Sequence, residues 1–293
     1  MAGSPLLGRM RNRAERLLQH RWRTAPYRSS ERHIILGGAP RSGTTILRTL
    51  LDRHPEVCCG PETKLLVPAA FNEAWLSQAY GIPGPEMEAM RRGSPSQGAF
   101  VDAFAARVRT DARKPRWAEK TPQNIRHLAW IVERFPEATV VHIVRDGRDV
   151  VCSMREHPDW RWVDGSWQKV LVPRPLGWYA QRWVDDTAAG MAWRSDPRYA
   201  ELRYEDLVAD PPAVLVSLCE RLGIPADAAW LAGASVGAPR AEATRGEGTG
   251  GPDYAGAVSA ASVGRWRSDL DEDELREVEQ RCGERLRELG YAI

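Results

Sequence analysis

Gly38-Ala39-Pro40-Arg41-Ser42-Gly43-Thr44-Thr45 is the stretch on which the reading of this chain turns. It follows the apolar run His33-Ile34-Ile35-Leu36 and precedes the helix-like segment Ile46-Leu47-Arg48-Thr49-Leu50-Leu51. Strand, glycine-rich turn and helix in that order aim backbone N–H groups and a helix N-terminus at an anion. The spacing is that of the nucleotide-triphosphatase loop G-x-x-x-x-G-K-[ST], with Thr44 where that loop has its lysine. The cation inside the loop is Arg41, three residues earlier. A loop that cradles an anion without the lysine that reaches the β- and γ-phosphates points to a different phosphate-like ligand.

Outward from this loop, strand-like and helix-like segments alternate. Residues 33–36, 139–144 and 199–204 read as strands. Residues 46–51, 99–108, 124–135, 149–154 and 213–222 read as helices, the first stopping near His54-Pro55 and the last ending at Gly223. The alternation predicts an α/β fold, a P-loop-type central parallel sheet flanked by helices in a single domain. Uninterrupted apolar strands fit a sheet covered on both faces. Two segments break the pattern. Residues 156–183 carry Trp160, Trp162, Trp167, Trp178 and Trp183 among prolines and glycines, and 233–264 are small, polar and glycine-rich, expected as a long loop. A charged helix is expected over 271–289, with Ser268 as its N-cap and Gly290 as its stop.

Composition narrows the function classes. A formal net charge of +2 over 293 residues gives no global case for nucleic acid. There is no run of 18 or more apolar residues to form a membrane span, and no apolar region follows the first basic residues as in a secretory signal. The five cysteines include the neighbours Cys58-Cys59 and show no C-x-x-C spacing, as expected of reduced packing thiols in a cytoplasmic protein. Residues 1–32 are arginine-dense, with Leu6, Leu7, Met10, Ala14, Leu17 and Leu18 at helical spacing. That suits a basic helix on a membrane or anionic partner, or a solvated helix at the domain edge.

Three further stretches carry chemistry. In Val144-Arg145-Asp146-Gly147-Arg148-Asp149, followed by Ser153, a strand again runs through a glycine turn into a helix. An arginine at that strand end faces the crevice where open α/β sheets bind ligands, and its fork suits a phosphate; the alternative is that Arg145 and Arg148 pair with Asp146 and Asp149 on the surface. Two anion sites on adjacent strand ends imply one ligand with two separated phosphate-like ends. Lys120 precedes a proline turn in Trp117-Ala118-Glu119-Lys120-Thr121-Pro122. It suits stabilisation of charge on a transferred group, or is a solvated lysine. Glu62, in the turn Cys59-Gly60-Pro61-Glu62-Thr63-Lys64, is a candidate general base or a capping carboxylate. No metal-ligand cluster of His, Cys or carboxylates is visible.

Together these stretches resemble the P-loop sulfotransferases, which use 3′-phosphoadenosine 5′-phosphosulfate (PAPS), and within that family the protein-tyrosine sulfotransferases and related bacterial enzymes. The resemblance rests on GGAPRSGTTILRTLLDRHPEVCCGPETK at 37–64, EKTP at 119–122, FPEATVVHIVRDGRDVVCSM at 135–154, RYEDLVADP at 203–211 and SVGRW at 262–266. It implies a sulfotransferase domain over 33–293 after the basic segment 1–32. It implies that Arg41, Ser42, Gly43, Thr44 and Thr45 bind the 5′-phosphosulfate, that Arg145 and Ser153 bind the 3′-phosphate, and that Tyr204 contacts the nucleotide. Glu62 falls at the family's base and Lys120 at the lysine that steadies the transition state. The implied reaction moves a sulfuryl group from PAPS to an acceptor hydroxyl of a small molecule, glycan or peptide tyrosine, without metal. The tryptophan-rich segment 156–183 is the expected lid. The chain departs from the tyrosine sulfotransferases at Lys64 and His157, where they have arginine, with Arg155 a possible substitute for the second. It also has no counterpart in 245–262 to their late nucleotide-binding lysine, and nothing in it matches their membrane anchor. Two other readings stay open at this stage: a phosphotransferase or ATPase, which needs magnesium and a loop lysine, and a regulatory nucleotide-binding protein whose Glu62 and Lys120 point away from the site.

Overall fold

Apolar β-branched runs build the centre of the sheet. In the computed structural model, which describes residues 19–67, 72–163, 166–234 and 262–293, the main strands are β1 (Ile34–Gly37), β2 (Val57–Cys58), β3 (Arg116–Lys120), β4 (Thr139–Val144) and β7 (Tyr199–Arg203). They form one five-stranded sheet in the order β2-β3-β1-β4-β7, every pair parallel. Successive side chains leave a strand on opposite faces, so β1 serves two cores at once. Ile34 and Leu36 join Val141 and Ile143 on one face, against Leu47, Leu50, Leu207 and Leu215. Ile35 and Val140 lie on the other, against Phe100, Phe104, Trp117 and Phe135. Covering both faces is what a parallel sheet requires, and it explains why β1 and β4 read as unbroken apolar runs.

The covering helices include α1 (Thr44–Asp52), α2 (Gln97–Ala112), α3 (Gly147–Arg155), α4 (Leu176–Met191), α5 (Pro211–Leu222) and α6 (Glu272–Glu288). A third core joins α3, α4 and α6 through Val150, Val151, Tyr179, Trp183, Val278 and Leu286. Helix α5 stops at Gly223, φ 62°, as expected. Gly290, φ 76°, follows the end of α6.

Several expectations are corrected. Residues 124–135 are a 3₁₀ turn, Pro122–His127, followed by a separate helix, Leu128–Arg134. Ser268 does not cap α6. Asp271 does, accepting from the N–H groups of Asp273 and Glu274 while Glu274 reaches back in a capping box. Ser268 lies in the short helix Trp266–Asp269 and donates to the Arg265 carbonyl. The break at 156–183 contains an antiparallel hairpin, β5 (Asp159–Val163) with β6 (Ser166–Val170), and the start of α4. The polar strand β3 and the two-residue β2 lie where no strand was expected. Residues 1–18, with the apolar stripe from Leu6 to Leu18, and 235–261, most of the expected loop, lie outside the described residues. The rest of the basic segment packs on the domain: Trp22 and Tyr27 join the second core, and Tyr27 and Ser29 donate to Asp102 at 2.5 and 2.6 Å. All five cysteines are free and buried.

Candidate active site

β1 and β4 are neighbours in register, with Gly37 opposite His142, so the turns that leave their C-terminal ends lie side by side. The first turn is shaped by backbone conformations that side chains disfavour. Gly43 sits at φ 95°, and a Cβ there would come within 2.4 Å of the Tyr204 ring. Arg41 takes φ 73°, uncommon for a non-glycine residue. Gly43 ends the loop as the N-cap of α1, whose first turn has no side-chain cap and no acidic residue. Its leading N–H groups are thereby left for an anion.

Arg41, Gly43, Thr44 and Thr45 from the first turn, Arg145 and Ser153 from the second, and Tyr204 line one cavity of about 250 Å³. Arg145 donates to the Arg41 carbonyl at 3.1 Å and stacks 4.6 Å over the Tyr204 ring. Arg41 Nε donates to Ser153 Oγ at 3.0 Å. Burial, then the nearby Arg145 and Arg265, push the Arg41 guanidinium down to about 10. Like charges gathered out of water favour an anion that neutralises them. Ser42 is the exception among the expected residues: it is fully buried and does not line the cavity, and its Oγ has no partner among the described residues. Of the two arginines after β4, only Arg145 faces the cavity. Arg148 is held by Asp146 at 2.8 Å and Glu279 at 2.9 Å in the interior.

Two contributors to the cavity, Ser262 and Arg265, carried no role in the sequence reading. Buried Asp149 accepts from the N–H groups of Gly264 at 2.8 Å and Trp266 at 3.1 Å, which pins the segment carrying Arg265 beside the cavity. Tyr204 Oη and Ser262 Oγ are 2.7 Å apart. The signal was present in SVGRW, but its contact with α3 spans more than a hundred residues.

Lys120 ends β3 directly opposite Leu36 of β1 and is 4% exposed. Its ammonium lies 2.7 Å from Glu62 Oε1 and 3.4 Å from Thr45 Oγ1. Glu62 and Lys120 are therefore brought to the first turn of α1 rather than away from it.

A second cavity, of about 550 Å³, shares Arg41 with the first. Lys64, His157, Arg174, Trp178, Tyr179 and Arg182 line it, and no carboxylate does among the described residues. The Arg174 and Arg182 guanidinium groups sit 4.4 and 5.5 Å from the ring centre of Trp178. Of the expected lid tryptophans, Trp178 is 41% exposed and reaches this cavity, whereas Trp183 is core and donates to the Arg145 carbonyl at 3.1 Å. The side chains of Trp160, Trp162 and Trp167 lie outside the description. Arg155 pairs with Glu274 at 2.9 Å and with the Asp269 carbonyl, and does not line the cavity. Among the described residues no His, Cys, Asp or Glu cluster could hold a metal, and no helix is long and apolar enough to cross a membrane.

A sequence model of the sulfotransferase family matches residues 33–228. The chain belongs to the sulfotransferase family. It is 28% identical over 219 residues to protein-tyrosine sulfotransferase A of Caenorhabditis elegans, an alignment covering 70% of this chain and 52% of that protein. The chain thus spans about half the length of that relative. The sulfotransferase domain of the Synechococcus PCC 7002 olefin synthase superposes with a TM-score of 0.60 at 21% identity, covering 88% of this chain and 96% of that one. Mouse sulfotransferase SULT7A1 complexed with PAP gives a TM-score of 0.55 at 14% identity, covering 92% and 88%. Both structures share the fold of this chain.

Proposed function

We propose that the chain transfers a sulfuryl group from PAPS to an acceptor hydroxyl. One observation carries this reading: the turns after two adjacent strands close on a single cationic cavity, with a carboxylate–lysine pair at its edge. A donor with two phosphate-like ends suits that arrangement, and the SULT7A1 structure with PAP supports it. Arg41, the α1 N-terminus, Thr44 and Thr45 hold the 5′-phosphosulfate, and Arg145 and Ser153 hold the 3′-phosphate. Tyr204 walls the nucleotide side. Glu62 takes the acceptor proton as the acceptor oxygen attacks sulfur in line. The bond from sulfur to the bridging oxygen breaks, and adenosine 3′,5′-bisphosphate departs. Lys120 and Arg41 stabilise the charge that develops on the transferring and departing oxygens.

Calorimetry in the presence of a chelator tests the nucleotide. The bisphosphate product is expected to bind in the micromolar range, because the loop has Arg41 and Thr44 in place of a lysine that engages magnesium-bound triphosphate. Magnesium-dependent binding of ATP with none for the bisphosphate would overturn the reading.

The second cavity supports an acceptor with an aromatic ring beside negative charge, such as a tyrosine in an acidic peptide. Trp178 and Tyr179 suit the ring, and Lys64, Arg174 and Arg182 suit the carboxylates. The protein-tyrosine sulfotransferase relatives agree with that choice. Arg182→Ala is expected to raise KM for such a peptide by about two- to fivefold, the effect of one partly exposed charge contact. Bisphosphate affinity should not move. An unchanged KM, or equal use of a neutral peptide, would redirect the search to uncharged acceptors.

A further inference from the structure

Glu119 is the chain neighbour of Lys120 and bonds to Thr63, the residue after Glu62, but lines neither cavity. It precedes Lys120 in β3 and is 1% exposed. Its carboxylate accepts from the Thr63 N–H at 3.3 Å and the Thr63 hydroxyl at 2.7 Å. It also accepts from the Thr121 hydroxyl at 2.6 Å and from the Asn124 amide. The network continues outward. Thr121 Oγ1 accepts from the Lys64 N–H at 3.1 Å, and Thr63 Oγ1 accepts from the Leu65 N–H at 3.1 Å. The Asn124 amide also donates to the Leu36 carbonyl at 3.1 Å, in the strand that feeds the phosphate loop.

One carboxylate therefore ties residues 63–65 to the ends of β3 and β1. The tie restrains a backbone that would otherwise relax: Lys64 sits at φ 55°, a conformation a non-glycine residue rarely takes. Glu62 is two residues before it. The donors around Glu119 are neutral, and burial pushes its carboxyl above the usual carboxylate range against the pull of its hydrogen bonds. A raised folded-state value means that ionised Glu119 costs stability once pH passes the usual carboxylate range.

We propose that Glu119 is a positioning residue whose buried carboxylate sets the backbone of residues 63–65 and so fixes where Glu62 meets Lys120. The turnover part of its test rests on Glu62 as the base; the exchange part does not. In full-length Glu119→Gln, amides of the 60–67 segment should exchange about tenfold faster, because the new amide presents a donor to donors. Protection in β1 and β4 should persist, and bisphosphate affinity by calorimetry should match wild type. At saturating PAPS, kcat on an accepted tyrosine peptide should fall about tenfold with KM unchanged, as when a supporting partner of a functional group is lost. Wild-type exchange over 60–67 would overturn the proposal. So would a loss of protection spread equally over β1, β4 and 60–67, which would make Glu119 a core residue only. If Glu119→Gln fails to fold, Thr121→Val should loosen 60–67 in the same way and Thr121→Ser should restore it; an unaffected Thr121→Val would overturn the idea. If the wild-type chain does not turn over PAPS, sulfuryl transfer fails as a reading while the exchange measurement still decides the role of Glu119.

Discussion

Glu62→Gln is expected to remove most turnover, about 10²- to 10⁴-fold in kcat at saturating PAPS, the range a general base contributes. The expectation comes from placement. Glu62 lies on a turn that reaches the first residues of α1, with its carboxylate 2.7 Å from Lys120 and Lys120 itself 3.4 Å from the Thr45 hydroxyl. In the proposed reaction the acceptor hydroxyl lies between this carboxylate and the phosphosulfate held by α1. Glutamine keeps the size of the side chain and a hydrogen-bonding oxygen for Lys120, so the fold and the bisphosphate affinity should stay near wild type. The measurement is kcat with an accepted substrate beside calorimetry on the same preparation. A mutant with near-wild-type kcat would remove Glu62 from the mechanism.

Arg145→Ala is expected to weaken bisphosphate binding by roughly 30- to 150-fold, from the loss of about 2–3 kcal/mol in charge-assisted hydrogen bonds. The side chain is 6% exposed, is aimed by its stack on Tyr204 and its bond to the Arg41 carbonyl, and also holds the Ser262 carbonyl. Its truncation takes a cation from the cavity and a tether from the segment that carries Arg265. Because Arg145 is assigned to the 3′-phosphate end, binding should suffer more than the chemistry of the bound donor. Affinity equal to wild type would make Arg145 a structural residue like Arg148, which Asp146 and Glu279 hold in the interior.

The two strand–turn–helix units that line the first cavity were legible because each is written in consecutive residues: an apolar run, a glycine turn and a helix start. The same compactness hid β3. Its sequence, Arg116-Trp117-Ala118-Glu119-Lys120, lacks the apolar signature of an inner strand, since Glu119 and Lys120 are charged side chains buried among polar partners rather than in the core. Helix α4 was obscured in a similar way. Its buried stripe of Gly177, Tyr179, Ala180, Trp183 and Gly190 mixes small and large residues in a stretch that reads as a tryptophan-rich break. The Ser268 cap is a local signal misplaced: Asp271 stands next to the first charged turn and has Glu274 three residues on to complete the box.

By itself the sequence determined the α/β class, the glycine turn between the first strand and its helix, and the arginine at the end of the fourth strand, because strand, turn and helix preferences act over a few neighbouring residues. Only the tertiary structure decided that Ser42 turns inward, that Arg148 is structural, and that Asp149 holds Arg265 to the cavity. It also joined Glu62 to Lys120 across 58 residues and gathered Thr63, Thr121 and Asn124 around Glu119. Those contacts depend on β3 lying beside β1 in one register, with Lys120 opposite Leu36. A parallel pairing is set by how distant apolar faces pack, and short stretches of sequence carry no record of it.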